Sequence, residues 1–408
     1  MIETLMVAAV AKLLLFFIEV GPKIFMTNSE YGKYSYFLIQ TALLSNVISY
    51  GGQNLIIKNI KSNDSEYKKA IFEVNLISLI FSLVIFALAY LLNIDMLVVM
   101  SSITIALLIN TVTYYRGVGK TKFWYLFKDI SKSVVFICAF FAILLTLGDV
   151  SAFSASVSYI IAGLVSLMFL SKILIYIDSE SFKDFSKNII KNTLERIKVA
   201  TPIIFMGFTY MLLSRIDSFF VKDFLGFEAL GDYTTVSRIM YQILFFQQVF
   251  IAAKLHVFSK LFKEHNYNKA INKAKTLTNK VSLVTLLTGI VVIYVINLNV
   301  ILDVLKLKDI FELSIVFFVT HLIYTKLCLN GYFLFFSNKQ YYGYLNSIII
   351  MLTSVILNIK LIPILGLPGA AIATGGSILL GNVLEFIQFK FLVYPNLKSK
   401  NVKSYSCN

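Results

Sequence analysis

Long apolar runs alternate with short polar segments along the whole chain. Runs of about seventeen or more mostly apolar residues are long enough to cross the hydrocarbon of a bilayer as helices. We therefore predict an all-α polytopic membrane protein with about twelve transmembrane helices. The predicted crossings cover residues 4–25, 34–55, 71–92, 96–114, 129–147, 152–172, 199–221, 230–253, 281–298, 310–336, 344–364 and 369–389.

Helix-breaking residues interrupt the apolar pattern near the C-terminus, in the stretch NIKLIPILGLPGAAIATGG. Pro363, Gly366 and Pro368 predict a tight turn at the outer surface, between the eleventh and twelfth crossings. Small residues recur at every fourth position beyond it, on one ridge of the twelfth helix: Gly369, Ala373, Ser377 and Gly381. Such a ridge lets a neighbouring helix approach closely, which is how helices associate in lipid. Glu385 continues the ridge, so the packing partner must tolerate or pair with a carboxylate.

The composition supports a lipid environment. Of the 408 residues, 58% are hydrophobic and 14% are charged, whereas a soluble domain has about 25% charged residues. Too few polar residues are present to cover a water-facing surface. The three cysteines and three histidines are scattered, so we expect no disulfide framework, metal site or cofactor. Glu3 precedes the first lysine, so we interpret the N-terminal segment as a retained crossing and not as a cleaved signal.

The net charge of +15 comes from basic residues that lie mostly between the apolar runs. This distribution indicates orientation in the membrane, not nucleic-acid binding. If the N-terminus is cytoplasmic, lysines and arginines in the inner segments outnumber those in the outer segments by about five to one. We therefore predict that both termini and the two longest polar loops, 173–198 and 254–280, are cytoplasmic.

A weak internal repeat divides the predicted crossings into two halves. EYGKY (Glu30–Tyr34) opens the second crossing and EALGDY (Glu228–Tyr233) opens the eighth. Equivalent positions in two six-helix lobes would explain this spacing, as in many transporters, although so few matched positions also arise by chance. We predict two pseudo-symmetric six-helix lobes, residues 1–195 and 196–408.

Three stretches resemble the Wzx-type O-antigen and polysaccharide flippases of the MOP (multidrug/oligosaccharidyl-lipid/polysaccharide) exporter superfamily. They are SEYGKYSYFLIQTALLSNVISYGGQNLI, TPIIFMGFTYMLLSRIDSFFVKDFLGFEALGDYTTVSRI and NIKLIPILGLPGAAIAT. The second stretch has Pro202, Asp217, Gly226, Gly231 and Tyr233 at positions that match the family pattern. The resemblance implies a MATE-like arrangement of two lobes.

Members of that family move a polyprenyl-diphosphate-linked oligosaccharide from the cytoplasmic to the outer leaflet of the bacterial inner membrane. The resemblance therefore implies a flippase that works by alternating access. Its implied partners are the lipid-linked oligosaccharide, membrane lipids, and polysaccharide polymerase or chain-length proteins. An anionic diphosphate and a hydrated glycan need cationic and polar groups inside the membrane, where such groups are costly and usually functional.

Charged residues in the first and seventh predicted crossings are candidates for this site. Lys12 and Glu19 lie on one face of the first crossing, where they either neutralise each other or line the interface between lobes. Arg215 is a candidate phosphate ligand, because a guanidinium matches phosphate oxygens in bidentate geometry. Asp217 is a candidate coupling or structural charge, and we expect it to pair with a cation on a neighbouring helix.

A polar and aromatic stripe is predicted on the eighth crossing from Arg238, Tyr241, Gln242, Phe245 and Gln248. It suits stacking against sugars and hydrogen bonding to hydroxyls, with a polar contact between helices as the alternative. In the tenth crossing, Lys326 is a candidate cavity cation and His321 a candidate cation or proton-coupling group. Glu385 is a further candidate coupling or structural charge.

Two other functions stay open. Another exporter of the same superfamily would carry a drug or a different lipid-linked precursor, and Glu19 and Asp217 would suit a cationic cargo. A membrane glycosyltransferase or polymerase would need a sizeable outer loop with positioned acids or bases, and the predicted outer loops are short. We therefore expect a transporter and not an enzyme.

Overall fold

The computed structural model describes residues 2–50, 64–91, 94–148, 150–170, 211–212, 215–337, 339 and 341–395. Across these residues the regular structure is helical, with no strand, which confirms the predicted all-α class. Seven helical segments in the described part are long and apolar enough to cross a membrane. The last of them, Tyr341–Val393, reverses direction at Gly366 and so contains two crossings. The chain is a polytopic membrane protein, and the count of twelve stays a prediction.

The chain divides into two compact units, Met1–Leu212 and Leu213–Asn408. The predicted lobe boundary at residue 195 lies in 171–210, outside the described residues, as does much of the predicted seventh crossing. The helices described in the first unit are α1 (Ile2–Val20), α2 (Asn28–Ser49), α3 (Asp64–Leu91), α4 (Met96–Gly117), α5 (Thr121–Tyr125), α6 (Ser131–Leu147) and α7 (Ala152–Phe169).

Buried tyrosines hold α1 against α2 in the first unit. Tyr31 and Tyr34 donate their hydroxyls to the backbone carbonyls of Glu19 and Ile18, at 2.5 and 3.2 Å. These carbonyls lie in the last turn of α1, where the helix itself supplies no amide donor. The ring of Tyr34 also stacks on Phe136 of α6, at 6.3 Å between centroids. The tyrosines therefore supply hydrogen-bond donors to the last carbonyls of α1, and their rings fill the core of the first unit.

Two polar contacts show which loops of the first unit share a side. Lys122 Nζ lies 2.9 Å from the Glu3 carboxylate, so the start of α1 and the start of α5 are neighbours. The Glu30 carboxylate accepts from the Ala152 amide at 2.8 Å, so the starts of α2 and α7 are neighbours. The predicted topology places each of these pairs on one side of the membrane. Which side is cytoplasmic stays a prediction.

The helices described in the second unit are α8 (Ile216–Tyr241), α9 (Phe245–Lys263), α10 (Tyr267–Ile296), α11 (Asn299–Leu305), α12 (Phe311–Leu327), α13 (Asn330–Phe336) and α14 (Tyr341–Ile387). Helix α14 packs against α8 and α12, and α10 packs against α9 and α12. The second unit is therefore organised around the long helix α14.

Two of these helices are hairpins that reverse at a glycine. Gly226 in α8 has φ 85° and Gly366 in α14 has φ 62°, a left-handed region that only glycine enters without strain. The reversal of α14 is visible in its packing, since Gly369 lies against Leu361, Gly376 against Leu357 and Gly381 against Ile350. The predicted turn between the last two crossings is therefore present at Gly366. The predicted ridge of small residues is buried, and its Gly369 and Gly381 pack against the first half of α14.

Candidate functional site

A buried carboxylate, Asp217, joins both halves of α8 to α14. Its side chain is 5% exposed. Oδ1 accepts from the backbone N–H and the hydroxyl of Ser218, at 2.7 and 3.3 Å. Oδ2 accepts from the hydroxyl of Tyr233 and, at 3.0 Å, from the hydroxyl of Thr374. The sequence predicted a cation as the partner of Asp217, but its hydrogen-bond donors among the described residues are hydroxyls and an amide.

The Asp217 cluster unites two of the stretches that carry the sequence resemblance. Asp217 and Tyr233 are in the same stretch and face each other because the chain reverses at Gly226 between them. Thr374 comes from the GAAIAT motif on the ridge side of α14. Four donors to one buried carboxylate offset the cost of removing its charge from water. The cluster therefore fixes how the α8 hairpin packs on α14.

An aromatic group extends from this cluster towards α12. Phe317 lies 5.8 Å from the ring of Tyr233 and 6.0 Å from the ring of His321. Tyr241 packs on His321 at 5.1 Å between centroids. His321 is 7% exposed, and its Nε2 has no hydrogen-bond partner among the described residues. The structure therefore brings together two of the predicted site residues, Tyr241 and His321.

Polar contacts continue from His321 into α9. The Thr325 hydroxyl lies 2.7 Å from Gln247 Oε1 and 2.9 Å from the carbonyl of His321. We call this continuous set of side chains the polar ribbon, and it consists of Asp217, Tyr233, Phe317, Tyr241, His321, Thr325 and Gln247. Tyr241 is the half-buried member of the ribbon, and the other six side chains are buried. The ribbon therefore links α8, α9 and α12 by hydrogen bonds and ring contacts inside the second unit.

The predicted stripe on the eighth crossing is divided by a 3-10 turn at Gln242–Leu244. At the first residue of the turn, the Gln242 side-chain amide donates to the backbone carbonyl of Arg238 at 3.3 Å, so it bonds within its own helical segment. After the turn, Gln248 is exposed and its neighbour Gln247 is 3% exposed. The turn changes the helical register, so Gln247 and not Gln248 joins the polar ribbon. Arg238 is half-buried.

The other predicted residues of the second unit have different partners. Arg215 is half-buried at the residue before α8, and its carbonyl accepts from the Ser218 amide at 3.1 Å. Lys326 is exposed, and its Nζ donates to Asn279 Oδ1 of α10 at 2.8 Å. Glu385 lies at the start of α13, where a Cβ on Gly331 would be 2.7 Å from its Oε2. Its carboxylate accepts the Gly331 amide, so it caps α13.

In the first unit, the two predicted residues of α1 differ in environment. Lys12 is exposed and Glu19 is half-buried. Buried cations that the sequence analysis did not select lie elsewhere in this unit. Lys23 is 0% exposed and donates to Asn28 Oδ1 at 2.9 Å, with its ammonium 5.3 Å from the ring centre of Tyr31.

A second buried cation of the first unit is Lys132, at the start of α6. Its Nζ lies 3.2 Å from the Tyr159 hydroxyl and 4.9 Å from the centre of that ring. Asp129 is also buried, on the π-helical turn Leu126–Ile130 that precedes α6, and Lys128 Nζ lies 3.7 Å from its Oδ1. The sequence does show that Lys132 lies inside an apolar run, which is a sign of a buried cation. The π turn, which sets the direction of these side chains, has no signal of its own.

Metal-binding geometry is not found in the described part of the chain. No group of three or more His, Cys, Asp or Glu side chains there could hold an ion. Cys138 and Cys328 are free thiols. The third cysteine, Cys407, lies outside the described residues. The candidate site of the second unit is therefore a network of hydroxyl, aromatic, amide and carboxylate groups.

Comparison with known proteins identifies the family. The profile of the family described as "Polysaccharide biosynthesis protein" matches residues 2–262, which is more than half of the chain. The chain belongs to this family. No curated protein sequence matches the chain significantly.

Solved structures of several transporters share the fold. The lipid II flippase MurJ in an inward closed conformation aligns with a TM-score of 0.66 at 13% identity, over 96% of this chain and 88% of MurJ. An inward-facing multidrug resistance MATE family transporter of the MOP superfamily aligns with a TM-score of 0.60 at 16% identity, over 95% of each chain. A MOP superfamily transporter from Pyrococcus furiosus aligns with a TM-score of 0.54 at 16% identity, over 97% of this chain and 94% of the other. Family and fold together place the chain in the MOP exporter superfamily, as the sequence resemblance implied.

Proposed function

We propose that this protein is a flippase for a polyprenyl-diphosphate-linked oligosaccharide, such as an O-antigen repeat unit. It moves the cargo from the cytoplasmic to the periplasmic leaflet of a bacterial inner membrane, with both termini of the chain in the cytoplasm. The observation that carries the proposal is the match to the polysaccharide biosynthesis family over residues 2–262. The fold shared with a lipid II flippase supports a lipid-linked cargo.

Tyr241, the half-buried member of the polar ribbon, supports a hydrated cargo. Tyr241 is half-buried and offers a ring face next to His321, and aromatic faces of this kind stack against sugars. Arg238, three residues earlier on the same helix, supplies a cation for the diphosphate. In this proposal Arg215, Lys12 and Lys326 are additional cations for the head group. The two lobes alternate in exposing the site, while the prenyl tail stays in lipid.

The proposal is tested by complementation of a strain that lacks its polysaccharide flippase and carries the cognate sugar pathway. The wild-type chain should restore surface polysaccharide and clear the accumulated lipid-linked intermediate. Arg238→Ala and Tyr241→Ala should reduce both effects at unchanged membrane abundance. Lys263→Ala, an exposed lysine of the same unit, is the matched control and should behave as wild type. Normal polysaccharide in both site variants would overturn the site assignment.

A drug exporter is the second candidate, because the fold is also that of multidrug resistance MATE transporters. In the same strain, such an exporter would lower sensitivity to cationic drugs without restoring polysaccharide. A glycosyltransferase or polymerase would change the covalent structure of the lipid-linked sugar. Mass spectrometry of the intermediate separates that case, since a flippase relocates the molecule and leaves its mass unchanged.

A further inference from the structure

A basic groove lies between α9 and α10 in the second unit, with a volume of about 990 Å³. Four lysines line it: Lys254 from α9, and Lys269, Lys273 and Lys280 from α10. Among the described residues no carboxylate lines the groove, and none pairs with any of these four ammonium groups. Within the described part of the chain these four positive charges line one concave surface without a carboxylate, an arrangement that attracts an anion.

The groove changes from cationic to apolar along its length. Its α10 wall continues from the lysines to Val281 and Val284, and its α9 wall includes Phe250, which is 42% exposed. The lining positions of α10 recur at intervals of three and four, so they form one face of that helix. The groove therefore has Lys269 and Lys273 at one end and Phe250, Val281 and Val284 at the other, with Lys254 and Lys280 between them.

The length of α10 sets the depth of these two ends. Its 30 residues span about 45 Å at 1.5 Å per residue, whereas the hydrocarbon of a bilayer is about 30 Å thick. The apolar C-terminal part, from Val281 to Ile296, spans about 24 Å and is apolar enough to lie in the hydrocarbon, of which it would cover the greater part. The N-terminal turns with Lys269 and Lys273 then lie at the depth of the lipid phosphates, on the predicted cytoplasmic side. Basic pockets between membrane helices at that depth bind anionic head groups.

We propose that this groove binds an anionic phospholipid of the surrounding leaflet, with its phosphate beside Lys269 and Lys273 and an acyl chain along Phe250, Val281 and Val284. A phospholipid enters from the leaflet without leaving its normal depth, so no hydrated sugar has to be accommodated. The bound lipid is separate from the cargo, and its binding does not depend on what the protein transports. Its single negative charge offsets part of the charge of the lysine cluster, and its acyl chain fills the apolar part of the groove between α9 and α10.

The test uses the purified full chain in neutral detergent with equal amounts of phosphatidylglycerol and phosphatidylcholine of identical acyl chains. Native mass spectrometry measures the ratio of the two bound forms. The wild type should favour phosphatidylglycerol, and Lys269 and Lys273 should each contribute about fivefold. Lys269→Gln/Lys273→Gln should therefore reduce the preference by about 25-fold. The matched control, Lys263→Gln/Lys275→Gln, removes the same charge from exposed positions outside the groove and should change it by less than about twofold.

The remaining measurements distinguish a bound phospholipid from a small phosphate ion and from the diphosphate of the cargo. No preference in the wild type, or equal losses in the two double variants, would overturn the proposal. Competition by glycerol phosphate at concentrations similar to the lipid would show a simple anion site and overturn it as well. Displacement of phosphatidylglycerol by polyprenyl diphosphate at equal concentration would assign the groove to the cargo. Phe250→Ala should weaken long-chain phosphatidylglycerol more than a short-chain form, which a purely electrostatic site would not show.

Discussion

Removing a hydroxyl donor from Asp217 tests whether the buried carboxylate holds α8 against α14. Tyr233→Phe and Thr374→Val each delete one hydrogen bond to Oδ2, without changing the size of the side chain greatly. A hydrogen bond to a charged group contributes about 1.5–3 kcal/mol, whereas a bond between neutral groups contributes about 0.5–1.5 kcal/mol. We therefore expect each variant to lower the free energy of unfolding by about 2 kcal/mol.

If the carboxylate of Asp217 is the acceptor, the free energy of unfolding lost in Tyr233→Phe should depend on the charge of residue 217. In an Asp217→Asn background the same Tyr233→Phe change removes only a contact between neutral groups, so it should cost about 1 kcal/mol less than in the wild type. Both values come from reversible denaturant unfolding in detergent micelles, followed by circular dichroism. Tyr294→Phe is the matched control, because Tyr294 is 69% exposed and should give no measurable change. An equal cost of Tyr233→Phe in the two backgrounds would refute the reasoning.

Three further predictions concern the hairpins, one loop contact and the topology. Gly226→Ala and Gly366→Ala place a side chain on a residue with positive φ, so each should lower the free energy of unfolding by about 1–2 kcal/mol. Gly343→Ala, where a Cβ would meet open space, should not lower it. Similar unfolding curves for all three variants would contradict the hairpin assignment. The hydrogen bonds from Lys33 and from the Ala152 amide lower the pKa of Glu30 from its usual 4.5. Glu30 therefore stabilises the fold above about pH 4.5, and this contribution is lost as pH falls through the lowered pKa. The difference in melting temperature between the wild type and Glu30→Gln should close on acidification. A difference that does not change with pH would contradict this role of Glu30. Alkaline phosphatase fused within 254–280 should be inactive and green fluorescent protein fused there should fluoresce, and the reverse pattern would reject a cytoplasmic location for this loop.

The elements that depend on local patterns could be predicted from the sequence. Apolar runs located most helices, because each must satisfy its own backbone in lipid. Pro363, Gly366 and Pro368 located a reversal, and the four-residue spacing of small side chains located a buried packing ridge. These features depend on the residues of one segment, so their signal is present in that segment.

Side-chain partners that depend on tertiary packing could not be predicted. Asp217 meets Tyr233 only because of the reversal at Gly226, and it meets Thr374 across 157 positions in the sequence. The turn at Gln242–Leu244 decides that Gln247 and not Gln248 is buried, and a uniform helical wheel cannot anticipate a change of register. The sequence shows Lys132 inside an apolar run, but its contact with Tyr159 of another helix depends on tertiary packing.

Direct measurement of lipid translocation tests the central claim. The purified protein is reconstituted into liposomes that carry a polyprenyl-diphosphate-linked oligosaccharide in both leaflets, and a membrane-impermeant glycosidase is added outside. The account predicts that the protected inner-leaflet glycan becomes accessible at a rate proportional to the amount of protein, and that the lipid-linked sugar keeps its mass before digestion. A protected fraction that persists as in protein-free liposomes, over a range of ion gradients and membrane potentials, would contradict it.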